Sequence, residues 1–281
     1  MGKGIQVWTE AVIAKKQRRG DGSGDGAAYK PWLGAHDVAS IGTLHRSFSQ
    51  AFGRSIHMLS DVEWHTFLLL EHSRKFTQVY ECYPLEREVT LQIAEALRIR
   101  HPHYPGTHVP TVMTVDFLGV DERADDMRIV AFDCKRSEEA ENENSLAKLQ
   151  ITREYFAGRG VPHHLVFHSE LPMEKVKNVE WMRSTSLKEG EIERYPGFFQ
   201  DKVTQMAREL SAGTHAMPLN KFCSLFEFRH QMAPGDGLRV AGMLMWEHIL
   251  KGAIGNPDLK SAPLNSFVCT ADANLPLVAS L

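Results

Sequence analysis

Hydrophobic and polar positions along the chain separate into segments of different period. Residues 8–50 lack sustained periodicity and predict an irregular, helix-poor lead-in anchored by Trp32 and Leu33. Over 60–74, Phe67, Leu68 and Leu70 recur at helical spacing behind Leu59-Ser60-Asp61-Val62-Glu63, which predicts a helix. An apolar stretch at 76–83, ending at Pro84, predicts a strand. Residues 86–110 are mixed, with a loop at His101-Pro102-His103-Tyr104-Pro105-Gly106. Two further strands are predicted at 112–120 and 127–135, joined by an acidic turn at 121–126. A helix at 144–158 closes at Gly158 and Gly160, a strand follows at 164–167, and a helix at 173–183 leads out. The order α-β-β-β-α-β fits a mixed sheet flanked by helices.

Past Ser184 strand signals fade. Helical runs at 198–210, 219–228 and 238–250 are separated by Gly213, Pro218, Pro234 and Gly235, and a short apolar strand comes at Phe267-Val268. Three helices and a ribbon would make a winged helix. Leu238, Met245, Trp246 and Ile249 share one helical face and read as its core. These helices offer no strongly basic face, which argues against base readout by this part. The pattern divides the chain into residues 1–184 and 185–281.

The chemistry concentrates in the two central strands. Residues two apart on a strand share a face, so Asp133 and Lys135 are neighbours and Cys134 turns away. If the acidic turn folds the chain back, Asp116 lies across the ladder from Asp133. Two carboxylates and an ammonium at one spot suit Mg²⁺-assisted phosphodiester hydrolysis: oxygen ligands hold the ion and a lysine meets the transition-state charge. The same residues also fit an ion pair at the rim of a sheet, although charge at the end of a central strand is expensive unless paired or used. A third carboxylate, Glu63, lies on the inward stripe with Phe67 and Leu70. It equally fits a capping box with Ser60.

The motifs Leu59–Glu63, Val115–Gly119 and Ala131–Lys135 resemble the TnsA family, endonuclease subunits of heteromeric cut-and-paste transposases. Tyr29-Lys30-Pro31-Trp32-Leu33, His45-Arg46-Ser47, Tyr83-Pro84-Leu85, His101-Pro102, Ser145-Leu146-x-Lys148-Leu149 and Tyr155-Phe156 extend the resemblance over roughly residues 8–182. It implies an α/β, restriction-endonuclease-like PD-(D/E)XK core at 1–184, with a mostly helical, winged-helix-like partner-docking domain at 185–281. It further implies that Glu63, Asp116, Asp133 and Lys135 are catalytic. Glu63, Asp116, Asp133 and the Cys134 backbone carbonyl would hold metal. The cofactor would be Mg²⁺, two ions per site, with Mn²⁺ able to substitute. The implied activity is cleavage of the 5′ strands at transposon ends. A TnsB-like transposase would cut and join the 3′ ends, and a TnsC-like ATP-dependent regulator would dock on the C-terminal domain. A free-standing restriction or repair endonuclease is the alternative.

Composition changes this picture little. The 281 residues are 43% hydrophobic, enough for real cores, and no apolar run reaches membrane-spanning length. No signal peptide is read after Met1-Gly2-Lys3-Gly4. Cys82, Cys134, Cys223 and Cys269 are too scattered for a zinc knuckle or a disulfide framework, which suggests a reducing cytoplasm; the resemblance implies a bacterial one, with nucleoid association when active. The net charge of −3 calls for segregated basic groups if DNA is bound. Lys15, Lys16, Arg18 and Arg19, running into a glycine-rich loop at 20–26, read either as an arm along a DNA backbone or as a solvated helix end. His45, Arg46, Arg54 and His57 form a second positive group, balanced by acidic patches at 121–126 and 138–143. His101, His103 and His108 read as surface or phosphate contacts. His163, His164 and His168 lack a completing Cys or carboxylate at zinc spacing.

Overall fold

The computed structural model describes residues 7–34, 37, 43–123, 127–136, 143–213 and 216–270. The chain divides into two units, Met1–Leu171 and Pro172–Leu281.

The first unit is built on a four-stranded sheet. Its strands are β3 (Gln78–Pro84), β4 (Thr114–Asp121), β5 (Arg128–Lys135) and β6 (His163–Phe167), adjacent in that order. β3, β4 and β5 pair antiparallel, whereas β5 and β6 run parallel. A parallel pair needs a long crossover, and α4 (Glu143–Ala157) supplies it. The predicted mixed sheet is therefore present, with strand ends displaced by one or two residues. α3 (Arg87–Ala96) and α4 cover one face, where Leu118, Val120, Ala131, Ile151, Tyr155 and Phe156 form the main core. α2 (Asp61–Ser73) lies on the other face, where Phe67 meets Phe117. Gly119 is required there, because a Cβ would come within 2.8 Å of the Phe76 ring.

The lead-in is more ordered than its sequence predicts. α1 (Glu10–Arg18) starts at Thr9, whose hydroxyl accepts the Val12 N–H. It docks Ile13 against Trp8, Trp32 and Tyr104. β1 (His45–Ser49) and β2 (Arg54–Met58) form a hairpin. The glycine-rich loop at 20–26 is held by backbone hydrogen bonds and close packing. The Gly22 N–H donates to the Lys30 carbonyl at 2.7 Å and the Lys30 N–H returns to Ser23 at 3.0 Å. Gly22 and Gly24 both have positive φ, and a Cβ on either would sit 2.5 Å from Pro84 or from the Ala28 carbonyl oxygen. Glycine here permits close approach as well as an unusual backbone.

In the second unit, α5 (Met173–Ser184) packs against α8 (Asp236–Trp246), with α6 (Phe198–Ala212) and α7 (Leu219–Arg229) around α8. The helix expected to lead out of the first unit lies in the second, which begins at Pro172. Asn178 of α5 donates two hydrogen bonds, to the carbonyls of Ile254 and Asn256. β7 (Leu250–Lys251) and β8 (Val268–Cys269) make a two-residue ribbon. Of the predicted core face, Met245 and Ile249 are buried. Among the described residues, no helix is long and apolar enough to cross a membrane.

Candidate active site

The β4–β5 ladder pairs Phe117 with Phe132, so Asp116 and Asp133 occupy the next opposing positions, as the sequence predicts. There a side chain takes over from the backbone. Oδ2 of Asp116 accepts the Cys134 N–H at 2.6 Å, where a ladder carbonyl would otherwise serve. The neighbouring strand is distorted at the same level. Cys82 stands between the pairs Glu81–Phe117 and Tyr83–Val115 and adopts φ 45°, a left-handed conformation costly for a residue with a Cβ. Its carbonyl accepts the Trp32 N–H at 3.2 Å instead of extending the ladder.

Lys135 reaches back over this opening. Its Nζ lies 3.6 Å from Oδ2 of Asp116 and donates to the Cys134 carbonyl at 3.1 Å. The Cys134 thiol points to the opposite face, 3.4 Å from the Thr66 hydroxyl on α2, as strand alternation requires.

Glu63 satisfies both readings of its sequence. The Ser60 hydroxyl caps α2 by accepting the Glu63 N–H at 3.3 Å and donates to Oε1 of Glu63 at 2.9 Å. Oε2 accepts the Leu59 N–H at 2.8 Å, one residue earlier than a standard capping box. The carboxyl is also buried, and desolvation together with the charge of Asp116 pushes its pKa up to about 8. Asp116 is likewise raised, by desolvation first, with Lys135 opposing and Asp133 adding to the rise. Lys148 on α4 senses the same cluster: desolvation and then the Lys135 charge lower its pKa.

Asp133 has a partner that sequence reasoning did not assign. Its Oδ2 lies 2.9 Å from Nε2 of His163 on β6. Phe156 packs on the His163 ring, while His164 turns to the other face against Phe132. The signal in the sequence was only that adjacent histidines on a strand face opposite ways.

Among the described residues, no three His, Cys, Asp or Glu side chains stand close enough together to hold an ion. The donors nevertheless fit a hard divalent cation in kind. Glu63 and Asp116 are oxygen donors in a desolvated place; desolvation raises both, with the Asp116 charge adding for Glu63 and the Asp133 charge for Asp116, a situation that a cation relieves.

The basic groups are redistributed. Lys16 is buried, with its Nζ 2.8 Å from Asp37 and 3.3 Å from Asp21 and within cation–π range of Trp8 and Trp32. It is therefore a structural ion, not part of an exposed arm. Arg19 is exposed but pairs with Asp21. Lys15, Arg18 and Arg46 are exposed. Arg54 is buried against Glu81 at 2.7 Å and leaves the expected positive group. His101 is also buried, bonded to Thr90 at 3.0 Å, rather than on the surface. His45 pairs with Asp61 at 2.8 Å. Residues 124–126 and 137–142, which carry most of the two acidic patches, lie outside the described residues.

A family model described as the TnsA-like endonuclease N terminal matches residues 74–168. That span holds Asp116, Asp133, Lys135 and His163, and Glu63 precedes it. The chain is also 34% identical over 189 residues to the transposon Tn7 transposition protein TnsA of Escherichia coli, covering 67% of this chain and 68% of that relative. With a strand pair that carries Asp116 opposite Asp133 and Lys135 inside the matched span, the chain belongs to the TnsA family and is a transposition endonuclease.

Proposed function

We propose that this nuclease is metal-dependent and cuts the 5′ strands at transposon ends, while a TnsB-like transposase cuts and joins the 3′ ends. The observation that carries the reading is Lys135 beside Asp116, at 3.6 Å, where Asp116 is anchored on the Cys134 N–H. Glu63, Asp116, Asp133 and the Cys134 carbonyl are the proposed metal donors, for two Mg²⁺ ions or Mn²⁺ in their place. A divalent cation bound there would lower the pKa of water and neutralise charge on the phosphate. The remaining work falls to the chain. The Cys134 N–H holds the Asp116 carboxylate in one orientation. Lys135 donates to the attacking water or to a non-bridging phosphate oxygen as negative charge develops. The Ser60 and Leu59 hydrogen bonds keep Glu63 from rotating away.

The mixed sheet and its flanking helices support a PD-(D/E)XK core. The helices α6, α7 and α8 with the two-residue ribbon, joined by α5, support a winged-helix-like second unit, the proposed dock for a TnsC-like regulator. Exposed Lys15, Arg18 and Arg46 are the proposed backbone contacts to transposon-end DNA. The protein would act on the bacterial nucleoid. Because it presents few exposed basic groups in these segments, placement by a partner is part of the proposal. The test is cleavage of strand-specifically labelled transposon-end DNA with and without the transposase. The expected result is 5′-strand cutting that needs both the partner and Mg²⁺. Sequence-specific cutting by the isolated chain would favour a free-standing endonuclease instead.

A further inference from the structure

The His163 side chain is a nearly enclosed polar group with no part in the mechanism above. It sits in parallel register with Ala131, two residues before Asp133 on the same face of β5. Alanine leaves room for an imidazole beside it, and Phe156 of α4 closes over the ring at 5.6 Å between centroids. The Ala131 N–H to Pro162 carbonyl bond, 2.9 Å, locks β6 at this register. The His163 and Asp133 side chains are only 9% and 6% exposed, so the 2.9 Å contact is shielded from water. A carboxylate oxygen accepts, so Nε2 of the ring carries the hydrogen. Histidine–carboxylate pairs of this kind fix the orientation of a ligand and commonly alter metal affinity by 10- to 100-fold.

We propose that His163 is a positioning residue, which holds Oδ2 of Asp133 so that the carboxylate keeps one orientation and its other oxygen serves a divalent cation beside Asp116. This inference rests on the metal-dependent reading of the site. It separates the two oxygens of Asp133 by role: one is committed to the protein, the other is kept for the ion. A purely structural His–Asp bond would stabilise the fold equally but leave metal affinity untouched.

The experiment measures Mn²⁺ affinity of the full chain by calorimetry, alongside thermal melting and single-turnover cleavage in the reconstituted reaction. His163→Phe keeps the ring against Phe156 and removes the donor; His163→Gln keeps an N–H donor. The expected result is Mn²⁺ binding weakened about tenfold or more in His163→Phe, with most of the affinity restored in His163→Gln. In an Asp133→Asn background, His163→Phe should change Mn²⁺ affinity by less than about twofold, because the pair acts as a unit. Cleavage should slow in proportion at limiting Mn²⁺ while the KM for DNA holds. Folded His163→Phe protein with wild-type Mn²⁺ affinity would overturn the inference alone. So would His163→Gln behaving like His163→Phe in affinity. Failure of the wild-type chain to bind Mn²⁺ would overturn the metal reading and this inference with it.

Discussion

Glu63→Gln should make the metal-free protein more stable near neutral pH while removing its cleavage activity. Glu63 is buried beside Asp116, and its carboxyl is pushed from an ordinary 4.5 up to about 8. The folded state therefore binds more protons than the unfolded state between those values, and stability falls as pH rises through that window. The shift spans about 3.5 units, which at ~1.4 kcal/mol per unit corresponds to as much as ~5 kcal/mol lost by about pH 8. Glutamine preserves an acceptor for the Leu59 N–H and an amide for the Ser60 hydroxyl, but carries no charge. Recovering even half of that loss would raise Tm by roughly 5–10 °C for a unit of this size. The assay is calorimetric melting of both proteins in chelator, across about pH 5 to pH 8. The two should melt alike at the acid end, where Glu63 is already protonated, and diverge as pH rises. Saturating Mg²⁺ should shrink or reverse the difference, because the cation stabilises only the carboxylate. A wild type whose Tm relative to Glu63→Gln does not change with pH would refute the argument that charging Glu63 costs the fold.

Adding Mg²⁺ or Mn²⁺ to the wild type should raise Tm in proportion to the logarithm of ion concentration, followed by melting in a dilution series. Asp116→Ala should abolish strand cleavage yet fold and assemble normally, and Lys135→Ala should slow cleavage by roughly two or more orders of magnitude, both read in the reconstituted reaction. Lys16→Ala should lower stability in denaturant titrations by on the order of 3 kcal/mol, because it leaves Asp37 and Asp21 without their buried cation. Lys15→Ala and Arg18→Ala should leave stability unchanged and reduce the salt dependence of DNA binding instead. Arg54→Ala should cost about 3–5 kcal/mol in the same titrations, since Glu81 is fully buried and would lose its partner.

The sequence by itself determined whatever is written in local periodicity. Alternation along β4 and β5 is enough to place Asp133 and Lys135 on one face and the Cys134 thiol on the other, and a short turn is enough to bring Asp116 opposite Asp133. The inward placement of Glu63 and Phe67 on α2 and the cap at Ser60 were legible for the same reason, although Leu70 of the expected stripe is only half-buried. What tertiary structure decided depends on which distant segment meets which. His163 reaches Asp133 across 30 residues only because α4 returns β6 in parallel register, and nothing in the strand's own period specifies that register. Lys16 looks like its exposed neighbours until Trp8 and Trp32 enclose it and Asp37 neutralises it. The glycine-rich loop shows only its composition in the sequence, yet Gly22 and Gly24 are there because Pro84 and Ala28 pack too close for a side chain. α5 carries no mark of allegiance in its sequence; Asn178 and the packing on α8 assign it to the second unit. Local pattern sets the face that each residue presents. The long-range closure of the chain sets what that face meets, and charge, burial and chemistry at the site follow from the meeting.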